Sequence, residues 1–269
     1  MTEHRRNAAV KGSFYPSSCS KLKIYFQKFS DRLSPQAKAD AAFSVKPRAI
    51  IVPHAGYVFS GFTANMAYRA LANSHPKRAI VIGPSHHYYF EGISGAYYET
   101  FETPCGDIRI DTDYLVKLAK QFDIGFEAQA HKEEHSTEVQ MPFIHHYLPN
   151  AEVIELVYGR VSADRLAKLI GYLLDDRENV VVISSDLSHF YSKAEAKTLD
   201  THCLKAIAKL DVSELDKGCE ACGLIGIRAI LIAAKKSALR SRLMDYRTSA
   251  DYSGDSSRVV GYTSAIFYR

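Results

Sequence analysis

The stretch RAIVIGPSHHYYF, residues 78–90, carries the main argument for the fold. It opens with an uninterrupted apolar run at 79–83 and then reaches two imidazoles, His86 and His87. Such a run is typical of a strand buried on both faces of a parallel sheet, whereas a half-exposed strand alternates apolar and polar residues. We therefore predict a buried strand that delivers histidines where it leaves the sheet.

Two further runs, at 48–53 and 179–184, have the same uninterrupted apolar character. Segments with helical spacing of apolar residues separate the three runs, and this alternation is typical of a sheet covered by helices on both sides. We predict an α/β fold: a single-domain three-layer α/β/α sandwich with a mostly parallel central sheet, spanning residues 1–269. The polar, alanine-rich stretch at 35–47 is predicted to be a linker within this domain.

Capping residues and prolines predict where helices begin and end. Ser60, Asp111 and Ser162 are the expected N-caps of three helices. Pro142 should interrupt or restart a helix predicted over 134–147. The sequence predicts further helices at 21–33, 193–209, 212–218 and 222–236, and further strands at 151–159, 241–250 and 258–269.

Composition and charge argue against several classes of partner. The formal net charge is only +4 over 269 residues, and the Lys and Arg residues are scattered. We therefore expect neither a nucleic acid nor a membrane surface as partner. No apolar run reaches the length that spans a bilayer, and residues 1–16 lack the apolar region of a secretory signal.

The cysteine content favours a reducing compartment. Five cysteines are an odd number in a chain that is 46% hydrophobic and has enough apolar residues for a core. We therefore expect no disulfide framework and a cytoplasmic location. Cys219 and Cys222 form a C-x-x-C pair, but the strand, motif and helix order of a thioredoxin is missing.

Three of the buried strands are followed by a histidine: His54, His86 and His189. The carboxyl ends of parallel strands line the ligand crevice of an open sheet, so these three imidazoles should converge. Imidazole is a frequent metal ligand and the usual general base. His87 should point away from His86, because neighbouring side chains on extended chain face opposite sides.

A metal site needs a third ligand, and the sequence leaves two alternatives open. A carboxylate would complete a 2-His-1-carboxylate site, with Asp186, Glu134, Glu138 and Glu220 as candidates. The other candidate is Cys222, at the predicted N-terminus of an apolar helix, where a thiolate is favoured.

A rival motif predicts a different enzyme class. His131, Glu134 and His135 match H-x-x-E-H, which on one helix would hold zinc with the glutamate as base of a hydrolase. The polar, glycine-broken stretch at 125–130 argues against a helix that contains His131.

The motifs, taken in order, resemble those of the Memo family, from about residue 10 to the C-terminus. They are KGSFYP (11–16), VPHAGYVFSG (52–61), GPSHH (83–87), EEHSTEVQMPF (133–143), ISSDLSHF (183–190), ACGLIG (221–226) and VVGY (259–262). The resemblance implies the LigB-like three-layer α/β/α fold of the class III extradiol ring-cleaving dioxygenases, in agreement with the strand pattern.

The resemblance also implies a set of site residues. It places metal ligands at His54, His86 and Cys222, with His189 as the catalytic base and Asp186 beside it. His135 is an expected pocket residue, and we expect Tyr57 and His87 to contact substrate as well. A thiolate as third ligand, where the dioxygenases use a carboxylate, favours iron, copper or zinc over hard ions.

These expectations lead to one main function and two alternatives. The main one is a redox or dioxygenase-like protein that uses Fe(II), with Zn or Cu as other metals, and acts on an unknown small molecule. Microbial relatives are often encoded beside a radical-SAM protein, which implies a shared pathway. The alternatives are a non-catalytic module that binds a peptide or partner protein in the pocket, and a zinc hydrolase.

Overall fold

The computed structural model of the chain describes residues 4–33 and 40–269. Part of the predicted linker, at 35–39, lies outside these described residues. The strands are numbered in chain order: β1 Arg5–Arg6, β2 Ala49–Val52, β3 Arg78–Pro84, β4 Ile93–Gly95, β5 Thr100–Phe101, β6 Ile108–Arg109, β7 Glu152–Tyr158, β8 Asn179–Ser184, β9 His189–Tyr191, β10 Arg240–Thr248 and β11 Val259–Tyr268.

The α-helices are numbered in the same way. They are α1 Cys19–Asp31, α2 Tyr57–Leu71, α3 Thr112–Phe122, α4 Ala128–Lys132, α5 His135–Glu138, α6 Met141–Tyr147, α7 Ala163–Asp175, α8 Lys193–Lys209, α9 Leu224–Lys236 and α10 Ala250–Ser253. The segment predicted as a helix at 212–218 is a 3-10 helix, Val212–Lys217.

Most predicted helix ends are confirmed, and one is wrong. Asp111 and Ser162 accept the expected N-cap hydrogen bonds, and a new helix begins at Met141 beside Pro142. Ser60 is not an N-cap, because α2 begins at Tyr57 with Gly56 at the N-cap position. The Ser60 hydroxyl instead donates to the carbonyl of Ala55 within the first turn.

The main sheet has the strand order β10-β11-β2-β8-β3-β7-β4. The four central strands β2, β8, β3 and β7 are parallel to one another. The outer pairs β10–β11, β11–β2 and β7–β4 are antiparallel. A mostly parallel sheet is therefore not confirmed: the sheet has a parallel centre with antiparallel edges, and the short connection between β10 and β11 makes their pairing antiparallel.

The parallel centre is buried on both faces, as the uninterrupted apolar runs predict. Ile51 of β2 and Ile80 of β3 pack on one face with the apolar residues of α7 and α9. Their neighbours Ile50 and Val81 pack on the other face with the apolar residues of α2 and α6. Successive side chains of a strand point to opposite faces, so both faces must be covered by helices. This arrangement confirms the three-layer α/β/α architecture.

The expectation of no disulfides is wrong. All five cysteines lie in the described ranges, and four are paired: Cys19 with Cys105, called here the long-range disulfide, and Cys203 with Cys219, the short-range disulfide. Cys222 is the free thiol. Sequence spacing could not reveal these pairs, because the paired cysteines are 86 and 16 positions apart and meet only after the chain between them has folded.

Among the helices in the described part of the chain, none combines the length and the apolar character that crossing a membrane requires.

Candidate metal centre

Three segments that are distant in sequence bring two imidazoles and one sulfur together at the carboxyl ends of the parallel strands. His54 follows β2, His86 follows β3, and Cys222 precedes α9. One donor atom from each residue lies within 4.8 Å of the other two. His54 Nε2 is 3.2 Å from Cys222 Sγ, and the His54 and His86 ring centroids are 5.1 Å apart. This group has the residue types and the spacing to hold one metal ion.

A chain of hydrogen bonds determines which nitrogen of His54 carries the proton. Gln140 Nε2 donates to the carbonyl of Pro53 (2.9 Å) and to Ser184 Oγ (3.0 Å), and Ser184 Oγ donates to the carbonyl of Ser136 (2.5 Å). The hydroxyl proton of Ser184 is thus committed, so Ser184 Oγ accepts from His54 Nδ1 at 2.9 Å. The lone pair of His54 is therefore on Nε2, the nitrogen that faces the sulfur.

His86 is oriented by a carboxylate. Glu134 accepts from His86 Nδ1 (2.8 Å) and from the His86 backbone N–H (2.5 Å), and it also accepts from the Ser136 N–H. Burial favours a higher pKa for Glu134, but its contacts with His86 prevail and lower that pKa to about 2. An ionised carboxylate on Nδ1 keeps the Nδ1 proton in place and leaves Nε2 of His86 available to a metal, as in carboxylate–histidine–metal arrangements.

Close packing of the backbone positions Cys222. A Cβ placed at Gly223 would lie 2.5 Å from the Ser185 Cβ and 2.8 Å from the Ser184 carbonyl oxygen, so only glycine fits there. The Gly223 N–H donates to Ser185 Oγ at 2.9 Å, and the Asp186 N–H donates to Cys222 Sγ at 3.3 Å. The strand end after β8 therefore fixes the position of the sulfur.

The protonation states of this group favour neutral ligands in the absence of metal. Burial, the largest cause, lowers the pKa of His54 to about 3. Burial, followed by the Asp186 charge, raises the pKa of Cys222 to about 12. The Cys222 thiol can then donate to His54 Nε2, and a metal ion that binds the sulfur must displace this proton.

Asp186 and His189 lie next to the candidate ligands. Asp186 Oδ1 accepts from the His54 backbone N–H at 2.7 Å, which ties the exit of β2 to the exit of β8. Burial raises the pKa of Asp186, and the hydrogen bond from the His54 backbone N–H opposes the rise. His189 begins β9 and is half-buried. Asp186 therefore contacts the backbone that carries His54, and His189 follows it three residues later at the start of β9.

The three predicted pocket residues are placed differently. The His135 ring is 4.5 Å from the His86 ring and 5.4 Å from the His54 ring, and burial lowers its pKa to about 4. His87 is exposed, with its ring 5.6 Å from that of His135, so it lies at the rim. Tyr57 is buried in the core, and its hydroxyl donates to the Val139 carbonyl, which gives it a packing position instead of one at the pocket.

The rival zinc motif is not assembled. The expectation that no helix contains His131 is wrong, because His131 lies in α4. His135 begins the next helix, α5, so the two histidines are not on one helix. His131 is fully buried, with Nε2 3.0 Å from Ser94 Oγ and Nδ1 3.3 Å from Glu155 Oε1. In the described ranges no group of potential metal ligands includes His131. The H-x-x-E-H interpretation is therefore wrong for this chain.

The carboxylates proposed as third ligand have other partners. Glu134 and His135 form a second close group with His86, but both Glu134 oxygens already accept hydrogen bonds, so Glu134 orients His86. Glu138 is buried and pairs with Arg6, and Glu220 accepts from the Tyr191 hydroxyl. Of the two alternatives for the third ligand, the geometry favours Cys222.

Sequence reasoning missed the residues that orient the ligands. Ser184 and Gln140 were not singled out, although both lie inside the quoted motifs. It also missed a buried ion-pair cluster in which Arg6 contacts Glu138 (3.1 Å) and Glu155 (3.0 Å). One signal was present for this cluster: Glu155 is the charged residue inside the apolar run VIELV at 153–157.

Comparisons with known proteins identify the family of the chain. The sequence profile described as "Memo-like protein" matches residues 6–266. A "MEMO1 family protein" of Aquifex aeolicus is 33% identical, covering 97% of this chain and 98% of that protein, and one of Saccharolobus solfataricus is 32% identical, covering 98% and 99%. A crystal structure of an uncharacterised Escherichia coli K12 protein aligns with a TM-score of 0.52 at 14% identity, over 82% of this chain and 100% of that one, which shows a shared fold alone.

Proposed function

Because this chain belongs to the Memo family, we propose that it is a metal-dependent redox protein that acts on a small molecule. The proposed ligands of its metal are His54, His86 and Cys222. One observation carries the proposal: three donor atoms from distant segments lie within 4.8 Å of one another. Their neighbours also leave the metal-facing nitrogen of each imidazole unprotonated.

The chemistry of the donor set fits a soft or borderline transition metal. Two neutral imidazoles and one thiolate suit iron, copper or zinc, and they do not suit magnesium or calcium. Iron(II) is our choice, and when bound it would supply one-electron redox chemistry with coordination positions open to a chelating small molecule.

The remaining site residues have roles that follow from their contacts. His189 is the proposed base, because this half-buried imidazole follows β8 at the same end of the sheet as His54 and His86 and can take up and return a proton of the substrate. Asp186 holds the His54 backbone by accepting a hydrogen bond from its N–H, so it positions His54. His135 forms a wall of the pocket, and His87 contributes to the rim.

Two further expectations accompany this proposal. The functional link to a radical-SAM protein rests on the family resemblance. A cytoplasmic location stays a prediction, and the two disulfides remove the cysteine argument that supported it.

Metal loading of neighbouring histidine variants tests the ligand set. His86→Ala should lose stoichiometric iron after anaerobic reconstitution, whereas His87→Ala, which changes the adjacent exposed histidine, should keep it. Cys222→Ser should lose the sulfur-to-iron charge-transfer absorption of the oxidised protein. Full iron content in His86→Ala, or unchanged absorption in Cys222→Ser, would contradict the assignment. Parallel reconstitution with zinc and copper tests the choice of metal.

A second candidate function, the non-catalytic binding module, is favoured by one observation. Tyr89 and Phe190 are 75% and 64% exposed and lie within three residues of His86 and His189. Exposed aromatic side chains beside a pocket are suited to holding a partner. If the module is the function, a metal-free His86→Ala protein should still bind its partner, and Tyr89→Ala/Phe190→Ala should not.

A further inference from the structure

A second concave site lies at the amino ends of the parallel strands, opposite the ends that carry the candidate metal centre. The cavity has a volume of about 590 Å³ and is lined by four cationic side chains, Lys46, Arg48, Arg177 and Arg269, here called the polybasic pocket. Arg48 immediately precedes β2, whose other end leads to His54. A ligand in this pocket would therefore lie at the amino ends of the parallel strands, away from the metal group.

The protein around the polybasic pocket offsets its positive charge only in part, through Asp175 and Asp176. Its lining includes no aspartate or glutamate, and within the described ranges none of the four cations forms an ion pair with a carboxylate side chain. Asp176 and Glu178, on the neighbouring turn, are bound by Arg78 at 2.8 and 3.1 Å.

Arg48 is held in place at the base of this pocket. Its two Nη atoms donate to the carbonyls of Leu174, Asp176 and Arg177, at the C-terminal end of α7. Its Nε is buried and has no hydrogen-bond partner in the described structure. Burial, followed by the charge of Arg269, lowers the pKa of Arg48, although the charges of Asp176 and Asp175 oppose this shift.

From this arrangement we propose that the polybasic pocket binds a small organic polyphosphate of the nucleoside diphosphate class. Guanidinium groups match the geometry of phosphate oxygens, and four cations suit more than one phosphate group. The volume lies in the range of small-molecule sites, and Val45, Pro47 and Val180 add apolar wall for an organic part. The pocket is concave and the other basic residues of the chain are scattered, which disfavours a nucleic-acid backbone.

Calorimetric titration with ADP in metal-free buffer tests the proposal. The informative variant is Arg177→Ala/Arg269→Ala, because both side chains are exposed. The matched control, Arg109→Ala/Arg160→Ala, removes the same charge from exposed positions on other elements, where the surface ion pairs contribute little stability. We expect saturable 1:1 binding, weakened at least about tenfold in the first double variant and by less than about twofold in the control.

Two further arms identify the ligand and the place of binding. Inorganic phosphate should compete with ADP but bind more weakly, and equal affinity would overturn the assignment to an organic ligand. His86→Ala should bind ADP as tightly as the unmodified protein. Loss of ADP binding in His86→Ala would place ADP at the metal centre and refute the assignment to the polybasic pocket. Absence of saturable ADP binding, or equal weakening in both double variants, would overturn the proposal outright.

Discussion

Replacing Ser184 with alanine should weaken metal binding without removing any proposed ligand. In the native protein Ser184 Oγ accepts from His54 Nδ1 and donates to the Ser136 carbonyl, which leaves Nε2 of His54 unprotonated. Without this hydroxyl the Nδ1 proton has no acceptor. The proton can then move to Nε2 and be donated to Cys222 Sγ, 3.2 Å away, which blocks the lone pair that a metal needs.

The magnitude of this effect follows from the hydrogen bonds that are lost. A buried donor left without its partner costs about 1–3 kcal/mol, and mutation of a residue that orients a metal ligand lowers metal affinity roughly 10- to 100-fold. We therefore expect the Kd for the metal to rise by a factor of about 10 to 100 in Ser184→Ala. Global stability should fall by about 1–3 kcal/mol.

Two measurements separate the tautomer effect from a general loss of structure. Nitrogen NMR of the metal-free protein should show His54 protonated at Nδ1 in the native chain and at Nε2 in Ser184→Ala. Ser264→Ala is the matched control, because Ser264 is also a buried serine in the sheet but its hydroxyl has no hydrogen-bond partner in the described structure. Native metal affinity and an unchanged His54 tautomer in Ser184→Ala would refute the reasoning.

Three other predictions follow from the same contacts. The pKa of Cys222 is raised to about 12, and the thiol must lose its proton to bind a metal. Metal affinity should therefore rise about tenfold per pH unit between about pH 6 and pH 8. A chelator competition that shows no such rise would contradict this prediction. Gly223→Ala should lower the free energy of unfolding, measured by chemical denaturation, by at least about 1–3 kcal/mol, because its Cβ would meet Ser185. Gly171→Ala, whose Cβ would have nothing within 4 Å, should be neutral or stabilising by about 0.5–1 kcal/mol. Equal effects of the two substitutions would contradict the packing argument. Removing the long-range disulfide should destabilise the protein by about 4.5 kcal/mol, and removing the short-range one by about 3 kcal/mol, because the first closes a longer loop of chain. The reverse order in thermal unfolding would contradict the chain-entropy account.

The features that the sequence predicted well are local or periodic. The uninterrupted apolar runs indicated strands buried on both faces, because burial on each face requires an apolar side chain at every position of the strand. Most helix ends were predictable from caps, since the side chain that satisfies the first free N–H groups is a near neighbour in sequence. Gly56 shows the limit of this argument: a glycine N-cap leaves no side-chain signal, and the start of α2 was placed at Ser60.

The candidate site was predictable only in part. His54 and His86 could be predicted to converge, because parallel strands end at the same edge of a sheet. The same reasoning could not decide whether Cys222 or a carboxylate is the third ligand, because neither Glu134 nor Cys222 follows one of the parallel strands.

By itself, the sequence determined most of the longer strands and helices, and which strand ends carry imidazoles, because these properties depend on neighbouring residues and on the period of burial. Tertiary structure decided the antiparallel edges of the sheet, the two disulfides, the burial of Tyr57 and His131, and the proton on His54 Nδ1. Each of these depends on the distance between atoms that many residues of chain separate. Such a distance exists only after the hydrophobic layers have packed and the buried polar groups have found partners.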